Sequence, residues 1–319
     1  MIPVGLLNAG GVFTVSSFVS FNMANNNIWS GMATSGSSIV AVGYSGSNGY
    51  INRSTDNGQN WTNITPSLNI VLGSVAYANG VYVVAGDYGN STSNGQLMVS
   101  SDNGLTFTTV TISGAGSPDI RSVMWDGTKF LAVLNGGAGS NAILSSTNGT
   151  SWTQSGAIAT LGSRLSKNGT IFVAITPTGS GSPSTQAICT SDPTVNTNWT
   201  TFSYPSNIAD YNLAGNGIFV TGKINDVSYL TSTNGTAWTS RTLPATPTGV
   251  LGFANGFFWF KAVTTNIVYY SIDGINWTST GAAAAQPPRT RVWFGNEITL
   301  LQTGTTLGDL GQFPGSYSI

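Results

Sequence analysis

One nine-residue stretch recurs along this chain, and its regular return constrains the fold more than any other feature. The first copy reads Ser54-Thr55-Asp56-Asn57-Gly58-Gln59-Asn60-Trp61-Thr62. Related stretches, some with a substitution, an insertion or a deletion, occupy residues 100–108, 145–153, 190–200, 231–239 and 271–278. A repeat of this kind indicates an architecture assembled from similar structural units.

The chemistry of the repeated stretch predicts a hairpin turn followed by an aromatic wedge. Gly58 adopts a positive φ without a Cβ clash, and Asp56 folds its carboxylate onto nearby backbone N–H groups. Trp61 then begins the next strand, where a large ring at a fixed offset fills the space between neighbouring units. In the copies at 145–153 and 231–239 we align a Thr with the Asp position.

The pattern S-x-D-x-G-x-x-W closely resembles the Asp-box, the repeat of sialidase-type proteins. Residues 54–61 fit the strict pattern, residues 100–107 fit with Phe for Trp, and four further places are degenerate. In Asp-box proteins this turn is structural and lies away from the ligand face, so the resemblance implies a fold rather than a site. It implies a structural role for Ser54, Asp56, Gly58, Trp61, Ser100, Asp102, Gly104, Phe107, Gly149, Trp152, Trp199, Gly235, Trp238, Asp273, Gly274 and Trp277.

A second pattern alternates with the first: an apolar stretch, a short Gly-containing turn that is usually Asn-Gly or Asp-Gly, and another apolar stretch. It recurs seven times along the chain. If Trp29 is counted, the aromatic anchors also number seven. They follow one another at intervals of about 40 residues, the period of a β-propeller blade. We therefore predict an all-β, seven-bladed β-propeller of four-stranded antiparallel blades; the alternative is six blades with a flanking extra sheet.

The two ends of the chain supply complementary halves of the predicted seventh blade. The last apolar hairpin has no repeated stretch after it, and Trp29 has no apolar hairpin before it. We predict that residues 12–29 join the blade begun by residues 290–306, because pairing the N-terminal and C-terminal segments removes exposed sheet edges.

Composition narrows the classes of function. The chain has no His, one Cys, one Glu and a net charge of −1, and 7% of its residues are charged. The near-neutral charge argues against a nucleic-acid partner, and no apolar run is long enough for membrane insertion. We expect no cofactor and no metal site, and we expect Cys189 to be a buried apolar side chain because no His can activate it.

The organisation and location of the chain are also predicted from its sequence. We expect residues 1–319 to form a single domain, with residues 1–11 and 309–319 as candidate arms. The first residues lack the basic and apolar regions of a signal peptide. Together with a surface rich in Ser, Thr, Asn and Gly, this favours a protein made in a cytoplasm and released by lysis. We expect a virion location; the alternative is extracellular.

The candidate binding residues lie on irregular loops that share one face of the predicted propeller, where recognition usually resides. The ligand-binding candidates are Tyr44, Asp87, Tyr88, Arg121, Arg164, Tyr211, Asp226 and Arg291. Arg121, Arg164 and Arg291 precede inner strands of three units, so they can approach a common axis and bind a carboxylate in a bidentate way. The plainer alternative is rim residues paired with Asp119 or Asp210.

No set of catalytic residues emerges, so we expect a non-enzymatic protein. Sialidases bring three arginines to a carboxylate beside a Tyr/Glu nucleophile pair, whereas Glu297 is the only Glu here and follows a turn on the opposite face. The composition is similar to that of phage tail and appendage proteins. We expect a bacteriophage tail, fibre or capsid-decoration component that binds a host surface glycan or neighbouring virion subunits, including copies of itself. The alternatives are a sialidase-like glycoside hydrolase, a secreted lectin-like module and a purely structural assembly module.

Overall fold

The computed structural model describes the chain between residues 28 and 302, with gaps. It covers residues 28–56, 58, 60–64, 70–87, 96–110, 112, 119–135, 141–158, 161–162, 164–175, 185–203, 211–222, 226–247, 251–254, 257–265, 267–283, 290–294 and 298–302. Over these ranges the secondary structure is β-strand, with no α-helix and one turn of 3-10 helix at Asn196–Asn198. No helix in the same ranges is long and apolar enough to cross a membrane.

Six four-stranded antiparallel sheets, the blades, contain most of the strands, and in each blade the strands lie side by side in chain order. Blade one contains β1 Ile28–Thr34, β2 Ile39–Ser45, β3 Asn48–Ser54 and β4 Thr62–Asn63. Blade two contains β5 Val71–Ala78, β6 Val81–Asp87, β7 Gln96–Ser100 and β8 Thr108–Val110. Blade three contains β9 Asp119–Trp125, β10 Phe130–Asn135, β11 Ala142–Ser146 and β12 Thr153–Gln154. Blade four contains β13 Arg164–Asn168, β14 Ile171–Ile175, β15 Thr185–Cys189 and β16 Trp199–Ser203. Blade five contains β17 Tyr211–Gly215, β18 Ile218–Gly222, β19 Ser228–Ser232 and β20 Thr239–Thr242. Blade six contains β21 Gly252–Ala254, β22 Phe257–Lys261, β23 Ile267–Ser271 and β24 Thr278–Ala283.

The prediction of seven four-stranded blades is wrong, and the structure has the six blades of the alternative. The remaining described strands, β25 Thr290–Phe294 and β26 Ile298–Gln302, form a two-stranded sheet. The prediction treats Trp29 as the outer-strand anchor of a seventh unit, but Trp29 lies in β1, pairs with Gly43 of β2 and is 1% exposed. An aromatic residue suits an inner strand as well as an outer one, so residue type does not separate the two.

Several predictions about the chain ends fall on residues that the structure leaves undescribed. Residues 12–27, which we expect to complete a seventh unit, lie outside the described ranges, as do the candidate arms 1–11 and 309–319. The prediction that the N-terminal segment closes the ring relied on Trp29 as part of a seventh blade. Trp29 belongs to blade one instead, so this support for the prediction is lost.

The first strand of each blade lies at the centre of the ring. β1 contacts β5, β5 contacts β9, and the series continues through β13, β17 and β21. The β25–β26 sheet lies between the two ends of this series, because β25 contacts β21 and β26 contacts β1. The fourth strands are short, and most of their side chains in β4, β8, β12 and β20 are exposed, which places them at the outer rim.

The hydrophobic core consists of layers between adjacent blades. Val83 and Val84 are neighbours in β6, yet Val83 packs with residues of blade three and Val84 packs with residues of blade one. This division follows from the alternation of side chains across a strand, which sends successive residues to opposite faces of a sheet. Blade two is therefore held on both faces by its neighbours rather than by a core of its own.

The Asn-Gly hairpins predicted between first and second strands are confirmed at two places. Asn79 and Gly80 join β5 to β6 with φ values of 50° and 80°. Asn216 and Gly217 join β17 to β18 with φ values of 48° and 81°. A two-residue loop with both φ values positive is a type I′ turn, whose twist matches that of the flanking strands.

Candidate functional site

The two ends of the blades carry different connections. One end, here called the turn face, holds the hairpins between first and second strands and the repeated stretches between third and fourth strands. The other end, the loop face, holds the starts of the first strands and the ends of the second strands. The contacts made at the turn face decide which residues remain for recognition.

In blade one the repeated stretch forms a turn tied together by its own side chains. Ser54 Oγ donates to Asp56 Oδ1 and accepts the Gly58 N–H, each at 2.8 Å. Asp56 Oδ1 accepts the Asn60 N–H at 2.9 Å, and Trp61 Nε1 donates to Gly58 O at 2.8 Å. These contacts satisfy backbone groups that the strand pairing leaves free, so the turn is rigid.

Blade three carries a shorter version of this turn, without the residue between the acid position and the glycine. Ser146 Oγ donates to Asn148 Oδ1 at 3.1 Å and accepts the Gly149 N–H at 2.8 Å. Asn148 Oδ1 accepts the N–H groups of Thr150 and Ser151 at 3.0 and 2.9 Å. The pattern of contacts is that of blade one, closed over a shorter loop.

The alignment of a Thr with the Asp position in blades three and five is therefore wrong. Asn148 takes that place in blade three and Asn234, bonded to Ser232 Oγ at 3.1 Å, takes it in blade five. Blade six has the same short turn with Asp273. An amide oxygen accepts the same backbone N–H groups as a carboxylate oxygen, so Asn replaces Asp without loss of the turn.

The repeated turns dock on the blade that precedes them. A Cβ added to Gly149 would lie 2.9 Å from Val83 Cγ2 of blade two, and one added to Gly104 would lie 2.6 Å from Val40 Cγ2 of blade one. Only glycine permits so close an approach. The aromatic wedges occupy the same gaps; Trp152 packs against the cluster formed by blades two and three.

Polar contacts join the same blades. Asn103, in the turn of blade two, accepts the Ser38 hydroxyl of blade one on Oδ1 at 2.9 Å. Arg53 Nε of blade one donates to Asn103 O at 2.8 Å. Between blades three and four, Lys129 Nζ and Asp192 Oδ1 form an ion pair at 3.2 Å. The polar chemistry of the turn face thus serves to hold blades together.

Hydrogen bonding keeps the aspartates of these turns ionised. Partial burial alone would raise the pKa of Asp102, but hydrogen bonds from Thr106 and Ser100 outweigh it and lower the pKa from 3.8 to about 2. The same balance, with the backbone N–H of Asn276 as a main donor, lowers the pKa of Asp273 to about 2. A carboxyl group with so low a pKa is a weak base near neutral pH, which suits a structural role.

The structure places the predicted binding residues at the loop face, as far as it describes them. The backbone positions at or near this end of the blades are those of Tyr44, Asp87, Arg121, Arg164, Tyr211, Asp226 and Arg291. Tyr88 lies outside the described residues. Side chains are described for Tyr44, Arg164 and Asp226.

These three side chains are engaged within the chain. Arg164 is 6% exposed and has an interaction partner, so it does not present a free guanidinium to a ligand. Tyr44 is half-buried and also has a partner, and Asp226 accepts the N–H of Ser228 at 2.8 Å. The backbone positions of Arg121, Arg164 and Arg291 lie at the same end of the ring. Of these three residues, the structure describes the side chain of Arg164 alone.

Sequence reasoning missed one charged residue of the loop face. Lys261 ends β22 in blade six and is 2% exposed, and burial lowers the pKa of its ammonium group. It has a partner within the chain. The sequence does contain a pattern that indicates this burial, a Lys directly after a run of four aromatic residues. Such a run is buried, and the aliphatic part of the adjoining Lys side chain is buried with it.

The described residues also bear on metal binding and on thiol chemistry. Across the described ranges, no three His, Cys, Asp or Glu residues lie close enough to hold a metal ion. Cys189 is fully buried between blades three and four, which confirms the prediction made for it, and burial raises the pKa of its thiol.

Comparison with known proteins identifies the fold. No family model matches the chain, and no curated protein matches it. Among solved structures, YCF48 from Cyanidioschyzon merolae is similar with a TM-score of 0.62 and 14% identity over 90% of this chain and 97% of that one. YCF48 bound to a D1 peptide gives 0.56 and 15% over 82% and 87%, and YjhT gives 0.52 and 12% over 81% and 98%. At these identities the likeness shows a β-propeller fold and leaves the function open.

Proposed function

We propose that this chain is a non-enzymatic binding and assembly module whose loop face takes a protein partner. The observation that carries the proposal is that every Asp, Lys and Arg whose side chain is described has a partner within the chain. In the repeated turns these contacts fix the backbone. General acid–base catalysis instead needs groups placed to exchange protons with a substrate.

The fold likeness supports a protein as the partner. YCF48 has been solved with a bound D1 peptide, and that structure matches 82% of this chain. By analogy, the loop face of this chain takes a segment of a neighbouring protein, and the loops that differ from blade to blade supply the specificity. The turn face has less freedom for this task, because its side chains are committed to contacts between blades.

The setting we propose is a bacteriophage virion, in which the chain is a tail, fibre or capsid-decoration component. Its low charge content of 7% supports a surface built from hydroxyl and amide groups. The order Ser, Asp or Asn, Gly and Trp in the tied turns supports a relation to the Asp-box repeat. The neighbouring subunits include other virion proteins and further copies of this chain.

Two measurements test the proposal. Mass spectrometry of purified virus particles from the source culture should detect the chain; its retention in the host cytosol would overturn the virion setting. Cross-linking within those particles should join the loop face to a neighbouring protein.

Matched variants separate the two faces. Tyr44→Ala, at the loop face, should weaken partner capture at unchanged folding, whereas Leu105→Ala, 52% exposed on the turn face, should leave it unchanged. Equal effects of the two variants would overturn the assignment of the face. Binding on a glycan array would show that the partner is a glycan rather than a protein. Release of sugar from a fluorogenic sialoside would overturn the proposal that the chain is not an enzyme.

A further inference from the structure

The chain contains eleven Asn-Gly dipeptides, and the structure places them in unequal surroundings. They begin at Asn48, Asn57, Asn79, Asn94, Asn103, Asn135, Asn148, Asn168, Asn216, Asn234 and Asn255. In an Asn-Gly pair the glycine nitrogen can attack the Asn side-chain carbonyl carbon, because glycine offers no side chain to obstruct the approach. The reaction requires a glycine nitrogen that is free to leave its place and an Asn amide that is free to turn.

In the repeated turns, hydrogen bonds hold both the glycine nitrogen and the Asn side-chain amide in place. The nitrogens of Gly104, Gly149 and Gly235 donate to serine hydroxyls at 2.9, 2.8 and 2.8 Å, and all three glycines are buried. The side-chain oxygen of Asn148 accepts two further N–H groups. Attack at these positions would break several contacts at once, so the native turn protects them.

Two type I′ hairpins form a matched pair that differs in the contacts of the asparagine side chain. Asn79-Gly80 and Asn216-Gly217 are both exposed and have nearly equal φ values, 50° and 80° against 48° and 81°. Asn216 Nδ2 donates to the carbonyl oxygen of Ile272 in the next blade at 2.7 Å. Within the described part of the chain, no hydrogen bond holds the Asn79 side chain, and no heavy atom lies within 4 Å of a Cβ built on Gly80.

We propose that Asn79 is a site of spontaneous deamidation in the folded protein, and that the contact with Ile272 protects Asn216. The Gly80 nitrogen forms a bond to Asn79 Cγ and gives up its proton; the bond from Cγ to Nδ2 breaks, and ammonia leaves. Solvent water then opens the five-membered imide at either carbonyl, which yields aspartate or isoaspartate. No oxidant or reductant takes part. Deamidation of Asn79 changes the formal net charge of the chain from −1 to −2 and places the new carboxylate on the turn face.

The test is a time course on the full-length folded protein at mildly alkaline pH and physiological temperature. Peptide mass spectrometry follows the mass gain at each Asn-Gly pair, and isoaspartyl methyltransferase labelling distinguishes isoaspartate from aspartate. Asn79 should be modified about fivefold faster than Asn216, the factor that one net hydrogen bond supplies. The pairs at Asn148 and Asn234 should remain unmodified over the same period.

Two controls assign the difference to the fold. In concentrated urea the rates at Asn79 and Asn216 should converge, because both pairs then have the freedom of an unfolded chain. Asn79→Gly retains a type I′ turn, since glycine adopts positive φ readily, and should remove the signal at that peptide alone. Equal rates in the folded protein, or a ratio that persists in urea, would overturn the proposal.

Discussion

The turn face and the loop face are the two ends of the same blades, yet they use their polar residues differently. At the turn face the same contacts return in blades one, two, three and five: a serine hydroxyl binds a glycine N–H, and an Asp or Asn oxygen binds the N–H groups beyond it. At the loop face the described side chains of Tyr44, Arg164 and Asp226 also have partners within the chain, but they are different residue types in different blades. The comparison teaches that repetition in the sequence marks what assembles the ring, and irregularity marks what is free to specialise.

The largest expected effect comes from removing an aromatic wedge of the turn face. Trp152→Ala should lower the free energy of unfolding by about 3 kcal/mol, because it empties space between blades two and three. Trp152→Phe should cost about 1 kcal/mol, through loss of the bond from Nε1 to Gly149 O at 2.7 Å. Chemical denaturation measures both. The loop-face variant Tyr44→Ala is the control. If it lowered the free energy of unfolding as much as Trp152→Ala does, the two faces would not differ in their contribution to stability.

The next effect concerns the close approach of a turn to the preceding blade. Gly149→Ala should cost about 2 kcal/mol or more, because it combines a φ of 76° with a Cβ placed 2.9 Å from Val83 Cγ2. Gly217→Ala has a similar φ of 81° but no heavy atom within 4 Å, so it should cost about 1 kcal/mol. Thermal unfolding distinguishes the two variants. Equal losses would mean that backbone strain alone, and not docking, accounts for the glycine.

Acid should weaken the turn face before it affects the rest of the ring. The pKa values of Asp102 and Asp273 are lowered from 3.8 to about 2 in the folded chain, so their stabilisation is present above pH 3.8 and is lost as the pH falls towards 2. Asp102 is partly buried and Asp273 is exposed, and screening by solvent limits the contribution of each carboxylate to about 1 kcal/mol or less. The double variant Asp102→Asn, Asp273→Asn should therefore show a flatter stability profile between these pH values. Urea denaturation at each pH measures it, and an unchanged slope would contradict the prediction.

The smallest effect is expected at the loop face. Asp226 accepts one backbone N–H at 2.8 Å, and Asp226→Asn keeps an acceptor oxygen in place, so the free energy of unfolding should change by less than about 0.5 kcal/mol. A loss comparable to that of Gly149→Ala would show that the loop face is as structural as the turn face.

The sequence predicted the parts of this fold that rest on local chemistry. The Asn79-Gly80 and Asn216-Gly217 hairpins follow from the need for positive φ, and the inter-blade position of Trp152 follows from a large ring at a fixed offset after a turn. The blade count failed because Trp29 has the same residue type as the wedges although it lies in an inner strand. The register of the short turns failed because Asn148 and its neighbour Thr147 both offer a side-chain oxygen, and only the geometry shows which one accepts.

The candidate site was less predictable than the fold. Arg164 looked available because it precedes an apolar strand, but whether a guanidinium faces solvent depends on long-range packing, and here it is buried. Lys261 was overlooked because its burial likewise depends on long-range packing. Loops without repetition give no internal comparison from which such placements could be read.

The turns of blades two, three, five and six each dock on the blade before them, which makes these junctions directional. Such a junction resembles a head-to-tail contact between subunits, which is complete for each pair and sets no limit on how many units follow. The curvature of the assembly, and not the chemistry of the junction, then determines where the circle returns to its start. Relatives of this chain could therefore gain or lose a unit by duplication or deletion while the remaining junctions kept their contacts.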